Sequence, residues 1–581
     1  MHYLDESHIL LFLVQVFILM GCARGLGELF RRWKQPVLTA EILVGVFLGP
    51  TLLGRFLPEL QAAIFPPEAI QQTMLDTVAW LGVLLLLMDT GLEIDFSIAW
   101  RQRGNALIIA VSDIVIPMII AFSVVFLLPD RYLVNSDQRI IFALFMATVM
   151  TISAMPVAAR VLHDLNLLKA DLGFLIMSAL AVNDIIGWVI FTIVLGVFTT
   201  SSASITPIAL VFVTTIGFAV IALTIGRRLS TKMFDAFKRK KAPEPATSLT
   251  IAMLLGLLFG AITQKMGVHA LFGFFIAGVV VGEAKSVSEK TRGIISQMVH
   301  SLFVPLFFAN IGLKIDFIAG FDPFLVTLMC VVGIAARYLG AWVGVMCAKV
   351  PRLSRDLIAI AHTPGGMMEI VVALLALETG LITQPVFIAI VFSAVFSSVI
   401  MGPWMARSLT RRRSVAPAQF LMPEAVIAEL ESTTRQGVIS ELAHAIASKA
   451  GPAHAQVLIE HALEREQHFS TAIRDDIAIP HARIKDLKSP VIAFGRTREP
   501  IPWGNPDGPF VKNVFFLATP IGMDDIQIQT FVSIAALLDS HKNRTRIEKA
   551  ADSGSLFQIL KELLVRKQPV LITTKPSTGV V

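Results

Sequence analysis

The chain has 581 residues, of which 55% are hydrophobic and only 16% charged, with a formal net charge of +6. A soluble domain this apolar would lack the polar groups to cover its surface, so composition points to a lipid-facing chain. The positive balance falls mainly in loops between apolar runs, so no nucleic-acid partner is needed to explain it, and no phosphate-cradling or dinucleotide fingerprint is present.

From the N-terminus, the first apolar run starts near Ile9 after acidic residues, with no cationic leader, and is expected to stay as a helix. A span needs roughly 20 apolar residues. About 13 transmembrane helices are predicted, near 8–30, 37–57, 72–92, 104–128, 138–162, 171–199, 206–228, 246–265, 268–284, 297–315, 322–348, 355–378 and 384–408. Lys and Arg alternate loop by loop, about 25 on one side and about 5 on the other. The rich side, with Arg31, Arg32, Lys34 and Arg411–Arg413, is expected to be cytoplasmic, which places the N-terminus outside and the C-terminal region inside. Cys22, Cys330 and Cys347 lie in or beside apolar runs and form no ligand spacing.

Ionisable groups at mid-membrane are expensive and are functional candidates by default. Five stand out: Asp113, Asp184, Arg337, His362 and Glu369. Asp184, midway along the sixth span, can bind a proton or a desolvated cation but not both at once. That competition is the minimum chemistry of an exchanger. Asn183 beside it offers a neutral carbonyl oxygen. Arg337 is too deep to reach water, so it calls for a carboxylate partner. Asp113 is slightly preferred over Glu369, although sequence alone does not choose between them. His362 is expected at a helix end in water.

Two spans carry helix breakers at depth, the fifth at Thr151-Ile-Ser153-Ala-Met-Pro156 and the twelfth at His362-Thr-Pro364-Gly365-Gly366. Irregular backbone survives there only where protein or water satisfies it. The breaks lie seven spans apart, an odd offset that reverses orientation, as in inverted repeats around a midplane site. Thr151 and Ser153 in the first break join Asp184 and Asn183 as candidate ion- or proton-binding residues.

Several segments closely resemble the second monovalent cation:proton antiporter family, in its plant and fungal cation/proton exchanger branch. They are Thr151–Leu162, Val182-Asn-Asp-Ile-Ile-Gly-Trp188, Gly267–Gly278 and Val304–Asp316. The resemblance covers about residues 8–408. It implies broken, crossed helices in an inverted-repeat bundle, a homodimer and elevator-like motion. It also implies that Asp184 is the shared proton and cation site, and that Asn183 marks an electroneutral member. Arg337 would brace the core. Related plant-type sequences often carry Arg where Gly365 stands, and Asp113 occupies the place of a small apolar residue.

Residues of about 420–565 resemble the enzyme IIA domain of the fructose, mannitol and nitrogen type, through Arg465–Ser470 and Ile477-Ala-Ile-Pro480-His481-Ala-Arg483. Ile477–Ile479 reads as a short strand that Pro480 ends, presenting His481 at its edge. The resemblance implies that His481 is the phospho-acceptor and that Arg465 holds the phosphate. Gln527 stands where a second histidine is common, and Arg474-Asp475-Asp476 replaces a glycine-rich approach.

The expected architecture is therefore an all-α multi-span membrane domain (1–408), a linker (409–419), a cytoplasmic α/β domain (420–565) and a tail (566–581). The expected protein is a secondary transporter in the cytoplasmic membrane, not an enzyme. It would exchange Na+ or K+ for H+ without cofactor or resident metal, serving pH homeostasis, and would be regulated through the C-terminal domain by a small ligand or protein. A ligand-gated potassium efflux system is the nearest alternative, followed by a phosphotransferase-linked sugar transporter.

Overall fold

The computed structural model describes residues 5–565 apart from 33–36, 95–103, 166, 169, 200–204, 242, 285–286, 349, 351, 411–416, 451–452, 469, 475, 486, 488, 504–508 and 522–523. The expected tail, the middle of the expected linker and Asp475 lie outside the described residues. The chain divides into two compact units. One is Met1–Val157, Ser178–Gly344 and His362–Met401; the other is Ala158–Met177, Val345–Ala361 and Gly402–Val581.

The apolar N-terminal two thirds forms helices α1 (Glu6–Arg32), α2 (Val37–Leu48), α3 (Ala69–Glu93), α4 (Asn105–Phe126), α5 (Arg139–Val149), α6 (Met155–Asp164) and α7 (Asp171–Thr199). Next come α8 (Ile205–Ile221), α9 (Arg227–Arg239), α10 (Ala246–Lys265), α11 (Ala270–Gly282), α12 (Glu289–Met298) and α13 (Val304–Lys314). The series ends with α14 (Pro323–Cys347), α15 (Arg352–Ala361), α16 (Met367–Glu378) and α17 (Gln384–Thr410).

Among the described residues, ten helices are long and apolar enough to cross a membrane. The other three expected spans are built differently. Residues 138–162 form the broken pair α5 and α6, 355–378 form the broken pair α15 and α16, and 268–284 hold the 13-residue α11.

In the first unit, large apolar side chains such as Phe17, Ile119 and Leu210 are exposed, as lipid-facing surfaces require. Helices meet through small residues that let backbones approach. A Cβ on Gly45 of α2 would lie 2.0 Å from the Ala309 carbonyl oxygen of α13. A Cβ on Gly340 of α14 would lie 2.7 Å from Pro117 Cδ and 3.2 Å from Asp113 Cα of α4. Ser112 Oγ donates to the Gly340 carbonyl at 2.8 Å, which fixes that crossing.

The second unit contains an α/β domain. Its strands are β1 (Leu421–Leu430), β2 (Ala472–Arg474), β3 (Asp476–Ala478), β4 (His481–Ile484), β5 (Val491–Pro502) and β6 (Phe510–Pro520). Its helices are α18 (Arg435–Ala450), α19 (Ala453–His468), α20 (Asp524–Asp539), α21 (His541–Glu548) and α22 (Ser553–Val565). The six-stranded sheet runs β1-β5-β6-β3-β2, with β4 also paired to β6. Among the described residues of this sheet, the β5–β6 and β2–β3 pairs are antiparallel and the β1–β5, β3–β6 and β4–β6 pairs parallel.

Strand alternation divides the core between the two faces of the sheet. Val514, Phe516 and Ala518 pack with Leu442 and Leu458 of α18 and α19. Phe515 and Leu517 pack with Phe531 of α20 and Leu560 of α22. His481 opens a strand of its own, whereas the sequence pattern places it just past one. Asp476 sits at φ 90°, in the left-handed region that favours glycine.

Candidate ion-binding site

The two broken helices meet. Helix α5 ends at Val149, and residues 152–154 are irregular before α6 begins at Met155. Pro156 therefore lies in the first turn of α6, where a missing N–H costs nothing, rather than in the break itself. Opposite, α15 ends at Ala361, residues 363–366 are irregular, and α16 begins at Met367. Gly366 adopts φ +152°, and a Cβ there would fall 2.4 Å from Ala154 Cβ. Each break satisfies the other's backbone. Ala154 N–H donates to the Pro364 carbonyl at 2.9 Å, and Ser153 Oγ donates to the His362 carbonyl at 2.9 Å. Gly365 N–H donates to Ser397 Oγ of α17 at 2.9 Å. This is how irregular backbone is tolerated at such depth.

Around the crossing lies a buried polar cluster. Asp113 of α4 is fully buried; its Oδ2 accepts from Asn183 Nδ2 of α7 at 2.9 Å and lies 3.4 Å from Ser153 Oγ. Arg337 of α14 is also fully buried, and its Nη2 donates to Glu369 Oε2 at 3.1 Å and to the Val149 carbonyl at 3.2 Å. The ion pair therefore falls on Glu369 and not on Asp113, the slightly preferred partner. Geometry explains the choice. Residue 365 is glycine, and the Glu369 carboxylate fills the space a side chain would take: a Cβ there would lie 1.7 Å from Oε2. His362, expected in water, is fully buried instead, because the break it precedes is capped by the other break.

Asp184 is 1% exposed. Among the described residues, its Oδ1, Asn183 Oδ1 and Asp113 Oδ1 are buried without a hydrogen-bond donor. Thr151 is buried too, but its hydroxyl donates within its own chain turn, to the Ala147 carbonyl at 2.7 Å. The cluster holds two carboxylates, Asp113 and Glu369, and one guanidinium, and Asp184 is the next residue along α7 after Asn183. Buried carboxylate oxygens without donors call for a proton or a cation. Sequence reasoning missed Ser397, whose only signal is a hydroxyl in an apolar helix. It also missed the buried acids Glu41 and Asp89, each within a few residues of a predicted span end. Asp89 is held by His300 at 3.3 Å and Ser296 Oγ at 3.2 Å.

Residues 12–411 match the family described as "Sodium/hydrogen exchanger, transmembrane". The chain belongs to the sodium/hydrogen exchanger family. It is a multi-pass membrane protein with an appended domain. Residues 419–563 match the EIIA 2 family of the phosphoenolpyruvate-dependent sugar phosphotransferase system. The exchanger-family chain is 29% identical over 414 residues to Cation/H(+) antiporter 19 of Arabidopsis thaliana, covering 70% of this chain and 50% of the plant protein. It is 27% identical over 411 residues to the Na(+)/H(+) antiporter NhaS4 of Synechocystis, covering 70% of this chain and 98% of that one. Both relatives are antiporters, secondary transporters rather than enzymes. The chain spans about half the length of the plant relatives it matches. Its fold resembles the sodium proton antiporter MjNhaP1 from Methanocaldococcus jannaschii, with a TM-score of 0.53, 16% identity, and coverage of 69% of this chain and 97% of that one.

In the second unit, His481 is buried. Its Nδ1 lies 3.1 Å from the Ile479 carbonyl oxygen, and its ring packs edge-on against Phe531, with centroids 5.9 Å apart. The Arg465 guanidinium lies over the Phe174 ring, 5.2 Å from its centroid. Gln527 Oε1 accepts from Arg483 Nε at 2.8 Å. Glu466, next to Arg465, accepts from Thr471 N–H at 3.1 Å, and burial raises its carboxyl above the ordinary range.

Proposed function

We propose that this chain is a secondary active antiporter exchanging Na+ or K+ for H+, with Asp184 as the group that a proton and a cation occupy in turn. The observation that carries the reading is the adjacent pair Asn183 and Asp184 on α7, each with a buried oxygen that lacks a donor among the described residues, with Asn183 bonded to Asp113 next to the two interlocked helix breaks. A desolvated monovalent cation needs several such oxygens to replace its water. Thr151 and Ser153 line the first break, Ser153 as the hydroxyl that links Asp113 to the second. Pro364, Gly365 and Gly366 let the second break pass close to the first. The Arg337–Glu369 pair is neutral as a unit and braces the crossing; of the two remaining buried carboxylates, Asp113 keeps one protonation state throughout the cycle and Asp184 is the exchanging group.

The cycle is electroneutral on this reading, because Asn183 adds no charge and one carboxylate trades one cation for one proton. Access alternates by an elevator-type movement of the broken helices within 13 spans arranged as inverted repeats. The protein is a homodimer in the inner membrane, with the N-terminus outside. Residues 1–408 transport, 409–419 link, and 420–565 form a cytoplasmic regulatory domain whose input is a small ligand or protein at the His481–Arg465 region.

The test is purified protein in proteoliposomes with a pH-sensitive dye. Na+ or K+ pulses should drive proton movement that an imposed membrane potential leaves unchanged. No cation-dependent proton movement with Na+, K+ or Li+ would reject antiport, and a voltage-dependent end-point would reject electroneutrality.

A further inference from the structure

The second unit gathers the α/β domain with short pieces of the helical region, and those pieces share a property. They are residues 158–164 of α6, the start of α7 to Met177, the end of α14 from Val345, all of α15, and α17 from Gly402. Helix α6 follows the break that holds Ser153, α7 carries Asn183 and Asp184, and α14 carries Arg337. Helix α15 leads into the break before Glu369, and α17 carries Ser397. Helices α1 to α5, α8 to α13 and α16, the last of which carries Glu369, send no residue into this unit.

Three contacts join these pieces to the α/β domain. Arg465 of α19 lies over the ring of Phe174 in the first turn of α7. Ala170, just before α7, is buried in the same apolar cluster as Leu421, Ile479 and Phe531. Helix α20, whose Phe531 packs on the His481 ring, packs against α15.

We infer that the Arg465–Phe174 stack and the α20–α15 contact form the joint through which the C-terminal domain sets the conformational equilibrium of the ion site; this rests on the antiport reading above. Phe174 and Asp184 are ten residues apart on one uninterrupted helix, a rise of about 15 Å. A push or release at the Phe174 end therefore moves the Asp184 turn as part of the same rod. The second contact acts on a broken segment, because α15 leads into residues 363–366. The domain contacts the helix that carries Asp184 and the helix that leads into the second break, so a ligand that changes its grip biases the site through both. A joint of this kind shifts the equilibrium only by the difference in its strength between the two states. For a guanidinium over an aromatic ring that difference is a factor of about 2 to 10.

The experiment uses the full chain in proteoliposomes. Phe174→Ala and Arg465→Gln should each change the half-saturating cation concentration or the maximal rate by about 2- to 10-fold. The double variant should go no further than the larger single one, and Phe174→Tyr, which keeps the ring, should behave as wild type. Wild-type behaviour of both disrupting variants across the pH range, or additive effects, overturns the joint. A second readout does not need transport. In a background with Cys22, Cys330 and Cys347 replaced by Ser, F174C/R465C is treated in membranes with a short bis-maleimide and then cleaved at a protease site placed within 411–416. The two fragments should stay joined on a denaturing gel. Joined fragments without cation-dependent exchange in wild type would reject the antiport reading and keep the contact; exchange with fragments that separate would reject the joint alone.

Discussion

Replacing Arg337 with Met removes one half of an ion pair whose members are 0% and 1% exposed. The change strands the Glu369 carboxylate where no water can reach it and where Oε1 already lacks a donor among the described residues. Breaking a buried pair from one side costs about 3–5 kcal/mol, and the lost bond to the Val149 carbonyl adds about 1 kcal/mol. Glu369→Gln strands the guanidinium and should cost a similar amount. Removing both charges, Arg337→Met with Glu369→Gln, leaves neither, and stability should return to within about 1–2 kcal/mol of wild type. The assay is thermal unfolding in detergent for the four proteins of the cycle, with Arg337→Met plus Asp113→Asn as the comparison. We expect strong coupling in the first cycle and weaker coupling in the second, where the two charges share a buried cluster without a direct bond. Additive losses for Arg337 and Glu369, with coupling between Arg337 and Asp113, would refute the assignment of the pair.

Gly365→Ala should lower thermal stability by about 3 kcal/mol, because its Cβ would take the place of Glu369 Oε2 and push the carboxylate off Arg337; an unchanged unfolding temperature would show that the carboxylate has room to move. Gly366→Ala combines a left-handed φ with a 2.4 Å approach to Ala154, so it should part the two breaks and abolish exchange at normal expression, as measured in proteoliposomes. In the α/β domain, burial raises the Glu466 carboxyl from its ordinary 4.5, so the folded state binds the proton more tightly than the unfolded chain does. Stability of that domain should therefore fall as pH rises from about 4.5 to the raised value and level off above it. Glu466→Gln should remove this slope in pH-dependent unfolding of the full chain, and an unchanged slope would assign it to another group.

The helix breaks were legible because proline and paired glycines inside apolar runs leave backbone groups that the membrane interior cannot satisfy, so they mark a place where protein or water must. Asp184 and Arg337 were legible for a related reason: a charge in the middle of such a run is costly enough to need a purpose. The partner of Arg337 was not. Asp113 and Glu369 are both buried acids, and choosing between them requires knowing which helix face meets α14. Gly340 brings α14 against the Asp113 backbone, yet the guanidinium reaches across to the carboxylate that Gly365 makes room for. His362 misled for the same reason, since Thr-Pro-Gly-Gly looks like a loop in water until a second break supplies its hydrogen bonds. In the α/β domain the resemblance located His481, but not the strand it opens. The stacking of Arg465 on Phe174 joins residues nearly three hundred positions apart, a distance at which local pattern carries no information.

The central claim is that Asp184 is the group shared by proton and cation, and Asp184→Asn tests it most directly. The amide keeps the volume of the side chain and removes its capacity to alternate between proton and cation. In proteoliposomes containing equal amounts of wild-type and variant protein, Na+ and K+ pulses should move protons only with the wild type, while both proteins unfold at similar temperatures in detergent. Cation-dependent proton movement by Asp184→Asn at a rate near that of wild type would contradict the account.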